Sequence, residues 1–128
     1  VATNAHCRPP TANPCDNRHF WVSASTERRV LVEGWGYTST VHRIAIETGT
    51  WYVHVPFWDA ALLADNDRAF AAPSAATIGL LRDRYGVRWL LVHRPTARQS
   101  PTAQLGQFAR LRFRSGECEV YQLVGSAG

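Results

Sequence analysis

Residues 73–92, Pro-Ser-Ala-Ala-Thr-Ile-Gly-Leu-Leu-Arg-Asp-Arg-Tyr-Gly-Val-Arg-Trp-Leu-Leu-Val, leave the chain little choice of local structure. Pro73 or Ser74 suits the opening of a helix, and Gly86 suits the left-handed residue that closes one. Between them Ile78, Leu81 and Tyr85 recur at helical spacing and make one apolar stripe. The six residues after the glycine are apolar apart from Arg88. Such a run fits a strand covered on both faces, as parallel strands are in α/β domains. The order helix, glycine stop, buried strand therefore predicts an α/β fold. It specifies no chemistry.

A chain of 128 residues with 45% hydrophobic and 19% charged positions is expected to form one globular domain spanning 1–128. No apolar run approaches the ~20 residues that span a bilayer, and the start lacks the pattern of a signal peptide. The chain has no methionine, so Val1 is expected to be a cut point in a longer protein. All fourteen basic residues are arginine and the formal charge is +4. They are scattered and not interleaved with aromatics, so no nucleic-acid partner is expected.

Cys7 and Cys15 bracket an N-terminal segment whose prolines exclude helix and central strand. A disulfide between them would restrict the unfolded chain and imply an oxidising compartment. A zinc site from His6, Cys7, Cys15 and His19 has suitable ligand types but lacks the close cysteine spacing of such sites. Two free thiols are the third possibility. The disulfide is the expectation taken forward, with no metal.

A short helix is expected over about 16–28, capped by Asp16 or Asn17, with Phe20, Ala24 and Trp21 inward. A strand is expected at 29–33, ended by Gly34, so that 29–33, the central helix and 87–92 form a right-handed parallel β-α-β unit. Ligands bind beyond the carboxyl ends of strands in open α/β sheets, which makes the loop Gly34-Trp35-Gly36-Tyr37 the best-placed site. Residues 38–58 alternate twice around a turn and read as a hairpin or an aromatic flap. Phe57 to Phe70 is expected to be helical, and 94–107 to be a connection with one helical turn. The end of the chain reads as a two-residue hairpin about Ser115-Gly116. That register places Arg114, Arg112 and Arg110 opposite Glu117, Glu119 and Tyr121, and pairs Phe113 with Cys118 and Leu111 with Val120, leaving Cys118 in the core as a free thiol.

Catalytic motifs are weak. There is no Gly-x-Ser-x-Gly elbow, and Gly34-x-Gly36 lacks the third glycine of a dinucleotide fingerprint. Asp65-Asn66-Asp67 matches an Asp-x-Asp metal motif only loosely, since polar residues near a helix end ordinarily cap it. Glu33 with Asp59 or Asp65 is a carboxylate pair on paper for glycoside hydrolysis. No catalytic residue, metal or cofactor is expected. The expected ligand-binding residues are Glu33, Trp35, Tyr37, Trp51 and Trp58.

Several stretches carry a resemblance: Val1-Ala2-Thr3-Asn4; Cys15-Asp16-Asn17-Arg18-His19-Phe20-Trp21-Val22-Ser23-Ala24; Arg28-Arg29-Val30-Leu31-Val32-Glu33-Gly34-Trp35; Phe57-Trp58-Asp59 with Asn66-Asp67; 81–92; and Glu119-Val120-Tyr121. Together they resemble the extracytoplasmic C-terminal domain of large actinobacterial multi-pass membrane proteins, which are similar to GT-C type glycosyltransferases using polyprenyl-phosphate-linked sugars. The resemblance implies a non-catalytic α/β domain on the extracytoplasmic face of the cell membrane, with the acidic catalytic residue in the membrane part. It implies a parent transmembrane domain, a cell-envelope glycan or lipid-linked sugar, and contact with the membrane surface as partners. Docking of the aromatic flap onto the membrane domain or another protein is the competing expectation.

Overall fold

In the computed structural model, which describes residues 1–6, 17, 18, 20–94 and 102–125, the chain runs β1 (Ala2–Thr3), α1 (Trp21–Thr26), α2 (Ser39–Thr48), a 3-10 turn (Tyr52–His54), α3 (Ala60–Ala71), α4 (Ala75–Tyr85), β2 (Trp89–His93), α5 (Thr102–Leu105), β3 (Ala109–Ser115) and β4 (Cys118–Leu123). The fold is α/β. Its four-stranded mixed sheet has the order β1-β2-β4-β3, with helices packed against it and a C-terminal antiparallel β3–β4 hairpin.

The central helix forms as its sequence dictates. The Ser74 hydroxyl accepts from the Thr77 N–H at 3.0 Å while the Thr77 hydroxyl accepts from the Ser74 N–H at 2.9 Å, a reciprocal closure of the first turn. Gly86 ends the helix at φ +67°, where a Cβ would be strained. Ile78 and Leu81 from α4, Ala69 and Phe70 from α3, Leu90 and Val92 from β2, and Tyr121 and Leu123 from β4 meet in the main core.

The parallel unit is built differently from expectation. Residues 29–33 do not form a strand; β2 takes β1 as its parallel neighbour, with Ala2 opposite Leu90 and Thr3 opposite Leu91. The segment's backbone hydrogen-bonds to Val1, whose carbonyl accepts from the Leu31 N–H at 2.8 Å and whose amino group donates to the Arg29 carbonyl at 3.0 Å. Its side chains serve different cores: Val30 packs beside Val22 and Leu91, whereas Leu31 and Val32 pack beside Trp35 and Val41. A strand sends alternate residues to two faces only, so bending there lets three consecutive apolar residues be used. Asn4 extends β1 with its side chain. Its Nδ2 donates to the His93 carbonyl at 3.0 Å, and its Oδ1 accepts from the His93 N–H at 2.8 Å, which reproduces a backbone pair.

Three local expectations are corrected. The first helix is shorter than 16–28, and Val22 is its buried residue while Phe20, Trp21 and Ala24 are exposed. Residues 38–58 hold no hairpin: the Thr38 hydroxyl accepts from the Val41 N–H at 3.3 Å to open α2, and Gly49 at φ +69° closes it. Val41, Ile44 and Ala45 face the second core and Ile46 is left at the surface, so the alternation of β-branched residues belongs to a helix.

The hairpin register is the third. Ser115 pairs with Cys118 across a turn at Gly116 and Glu117. Arg114 then faces Glu119, Phe113 faces Val120, and a bulge at Arg112 brings Leu111 opposite Tyr121. Phe113 thus slips two residues along β4, from Cys118 to Val120, and the pairing of β4 with β2, Tyr121 opposite Leu90, turns Tyr121 and Leu123 into the core with Leu90 and Val92. Glu119 goes inward with them. Its carboxylate accepts from the Tyr121 hydroxyl at 2.5 Å and lies 3.6 Å from the Arg114 guanidinium and 4.0 Å from that of Arg94. A buried carboxylate needs such partners.

Cys118 is consequently half-buried rather than a core residue. Its free thiol is pushed above its ordinary pKa, chiefly by burial and then by Glu117, with Arg94 opposing. A raised thiol pKa keeps the neutral, unreactive form. Alkylation by iodoacetamide at pH 8, followed at the Cys118 peptide by mass spectrometry, should be slower in the native protein than in urea; equal rates would contradict this placement.

Candidate functional site

The Gly34 to Tyr37 loop is set by its neighbours, beginning with Asn17. The Asn17 carbonyl accepts from the Trp35 N–H at 3.0 Å and the Gly36 N–H at 3.2 Å, and its own N–H donates to the Val53 carbonyl at 3.0 Å. Its side-chain Nδ2 donates to the Tyr52 carbonyl at 2.7 Å and the Val55 carbonyl at 3.0 Å. One asparagine thus ties the loop to the 3-10 turn. It also makes Gly36 obligatory, because a Cβ there would lie 2.4 Å from Asn17 Oδ1, inside any real contact distance.

Trp35 is a core residue. It is 2% exposed, packs with Val32, Val41 and Val55, and donates Nε1–H to the Val55 carbonyl at 2.8 Å. Glu33 is buried as well. Its carboxylate accepts from the Val22 N–H at 2.9 Å, the Ser23 N–H at 3.1 Å and the Ser23 hydroxyl at 2.6 Å. Phe20, at the N-cap position of α1, makes no side-chain capping bond, so Glu33 caps α1 from eleven residues away and places its charge at the favourable end of the helix.

Around these residues lies an open cleft of about 400 Å³, lined by Phe20, Glu33, Trp35, Phe57, Trp58 and Asp59 among others. Trp58 and Phe20 stand half-exposed at its walls. Tyr37, 61% exposed, meets Phe20 edge-on with ring centroids 5.8 Å apart, and Tyr52 connects it onward to Trp51, 62% exposed. Phe20, Tyr37 and Trp51, joined through the half-buried Tyr52, therefore form an aromatic track leading out of the cleft. Asp59 sits at the rim, where it caps α3 by accepting from the Leu62 N–H at 3.0 Å.

Of the five residues singled out in the sequence, Trp58 offers a ring to the cleft, Tyr37 and Trp51 extend the track, and Glu33 and Trp35 build the wall from within. Sequence reasoning assigned Phe20 to the interior and did not single out Asn17 as a tie. No local signal marks Asn17, whose partners lie 35 and 38 residues away. Of the three carboxylates considered for hydrolysis, Glu33 holds the Val22 and Ser23 N–H groups and Asp59 the Leu62 N–H.

A second polar cluster lies beneath, at the carboxyl end of β1. The buried His6 ring contacts Asp67 at 2.5 Å, and Asn66 donates to the Thr3 carbonyl and to Asp67 at 3.1 Å each. Asp65 is used elsewhere: it accepts from the Tyr85 hydroxyl at 2.7 Å, which holds that phenol above its ordinary pKa, and lies 3.8 Å from Arg68. The two aspartates of the loose metal motif therefore face different partners. Among the described residues no group of three or more His, Cys, Asp or Glu side chains converges as a metal site would.

Comparison with protein-family models, curated proteins and solved structures finds no match for this chain. This corrects the description built on the resemblance. Neither a membrane-protein, GT-C or cell-envelope label nor an actinobacterial origin is carried by the comparisons, and what stands is the α/β fold. The expected disulfide is not carried either: no disulfide occurs among the described residues, and Cys7 and Cys15 lie outside them. No described helix is long and apolar enough to cross a membrane.

Proposed function

We propose that this domain is a non-catalytic binding module whose aromatic cleft and track take a glycan, positioning it as an acceptor or a lipid-linked donor sugar. The observation that carries the reading is the set of exposed rings, Trp58 and Phe20 lining the cleft and Tyr37 and Trp51 continuing from Phe20 through Tyr52. Sugar rings present apolar C–H faces that stack on exposed aromatic planes, and hydroxyl edges that seek acceptors such as Asp59 at the rim. The cleft is open, as suits a chain rather than a small enclosed metabolite. Glu33 is spent on capping α1, which argues for binding without catalysis.

The test is a titration of the protein with mannose-, galactose- and arabinose-containing oligosaccharides, followed through the indole N–H resonances. Shifts at Trp58 and Trp51 are expected, and Trp58→Ala should weaken binding by roughly tenfold, the loss of one stacked ring at ~1 kcal/mol or somewhat more. No shift at either indole across the panel would reject the reading. A second reading, docking of a protein on the same aromatic track, draws on Tyr37 and Trp51, which are exposed beyond the cleft. Loss of partner capture on Trp51→Ala with Trp58→Ala silent would favour it.

A further inference from the structure

The sheet ends in an edge that nothing described covers. β3 is hydrogen-bonded to β4 on one side, and among the described residues no strand pairs with its other side. Six of its seven residues are exposed, including Leu111 at 40% and Phe113 at 58%. An exposed edge displays a row of unpaired N–H and C=O groups, which a protein must either protect or use. This strand also carries Arg110, Arg112 and Arg114 and no acid. Arg112 is steadied by donating to Gln122 at 2.8 Å, and Arg114 leans toward the buried Glu119.

We propose that the free edge of β3 takes an extended, acidic segment of a partner protein as a fifth strand. Backbone hydrogen bonds would supply the common part of such an interaction, and side-chain complementarity the specific part. The charge pattern decides between occupants. A second copy of β3 would add three more arginines and no acid to the edge, and the like-charged pairs this sets close together are destabilising. An acidic strand reverses the sign of those same pairs. Phe113, pointing to the face it shares with Val120, would cover an apolar residue of the incoming strand. The edge is thus closed to self-association and open to an oppositely charged partner.

The probe is a short labelled peptide of alternating glutamate and valine, measured by fluorescence anisotropy against the full chain. Two controls accompany it: the same peptide N-methylated at alternate residues, and the variant Arg110→Glu/Arg112→Glu. Both positions are exposed, and Arg114 is left in place so that Glu119 keeps its partner. Phe113→Thr, with its circular dichroism checked, covers the case in which the double variant fails to fold. The expected result is binding that weakens with salt, falls at least about tenfold with the N-methylated peptide and with the double variant, and slows hydrogen exchange of the β3 amides. Equal binding of the N-methylated peptide would overturn the proposal, because charge alone would then explain the attraction. So would a β3-mediated dimer in sedimentation, or retention on phosphatidylcholine–phosphatidylglycerol vesicles through Arg110 and Arg112 without any peptide binding.

Discussion

Replacing Trp35 by alanine is expected to destabilise the protein by about 3–5 kcal/mol, the range for truncating a buried aromatic in a packed core. The ring is 2% exposed and fills the space between Val32, Val41 and Val55. Its Nε1–H also satisfies the Val55 carbonyl, so the variant loses a hydrogen bond together with its packing. Since whole domains are stable by only about 5–15 kcal/mol, the loss is a large share of the total. Urea unfolding of the purified variants would measure it as a lower midpoint at unchanged slope. Trp51→Ala and Trp58→Ala, at half-exposed positions, should change stability by about 1 kcal/mol or less. A Trp35→Ala protein of ordinary stability that had lost glycan binding would contradict this assignment and move Trp35 into the binding surface.

Glu33→Ala is expected to cost roughly 3 kcal/mol, through a different mechanism. It removes no large side chain. It leaves the Val22 and Ser23 N–H groups, at the start of a six-residue helix, without their acceptor. Donors stranded in a buried site forfeit their hydration with nothing in return. Glu33→Gln keeps an acceptor oxygen and should recover part of the loss. Hydrogen exchange provides the local readout: the amides of α1 should exchange faster in the alanine variant while those of α4 change little. Uniform acceleration across both helices would show that the carboxylate acts on global stability rather than as the cap of α1.

These two expectations define how the candidate surface is held. Wall and binding face belong to different residues: Glu33, Trp35 and Asn17 fix the loop from inside, and Phe20, Tyr37, Trp51 and Trp58 present rings outside. The β3 edge lies on the C-terminal hairpin and involves none of them, so the glycan and strand proposals can fail independently.

Where neighbouring residues decide, the structure was legible in the sequence. The helix from Ala75 to Tyr85, its Ser74 opening, its Gly86 stop and the strand after it follow from caps and spacing within one stretch of chain. The helix of α3 and the existence of the C-terminal hairpin follow for the same reason. Local pattern failed where two structures satisfied it equally. Residues 42–46 alternate as a strand would, but Thr38 and Gly49 frame them as a helix. Residues 29–33 look like a strand, but three cores claim their side chains.

The sequence by itself determined the fold class and the placement of the chain's strongest helix and strand, because those depend on backbone preferences and on periodicities a few residues long. Tertiary structure alone decided which strand pairs with β2, which face of the hairpin turns inward, and whether an aromatic or carboxylate builds the site or faces out of it. Each of those outcomes rests on contacts between distant residues: Ala2 with Leu90, Tyr121 with the main core, Glu33 with Val22, Asn17 with Val55. A one-residue slip or a single bend changes such contacts without changing any local preference, and burial of the larger apolar set selects among them.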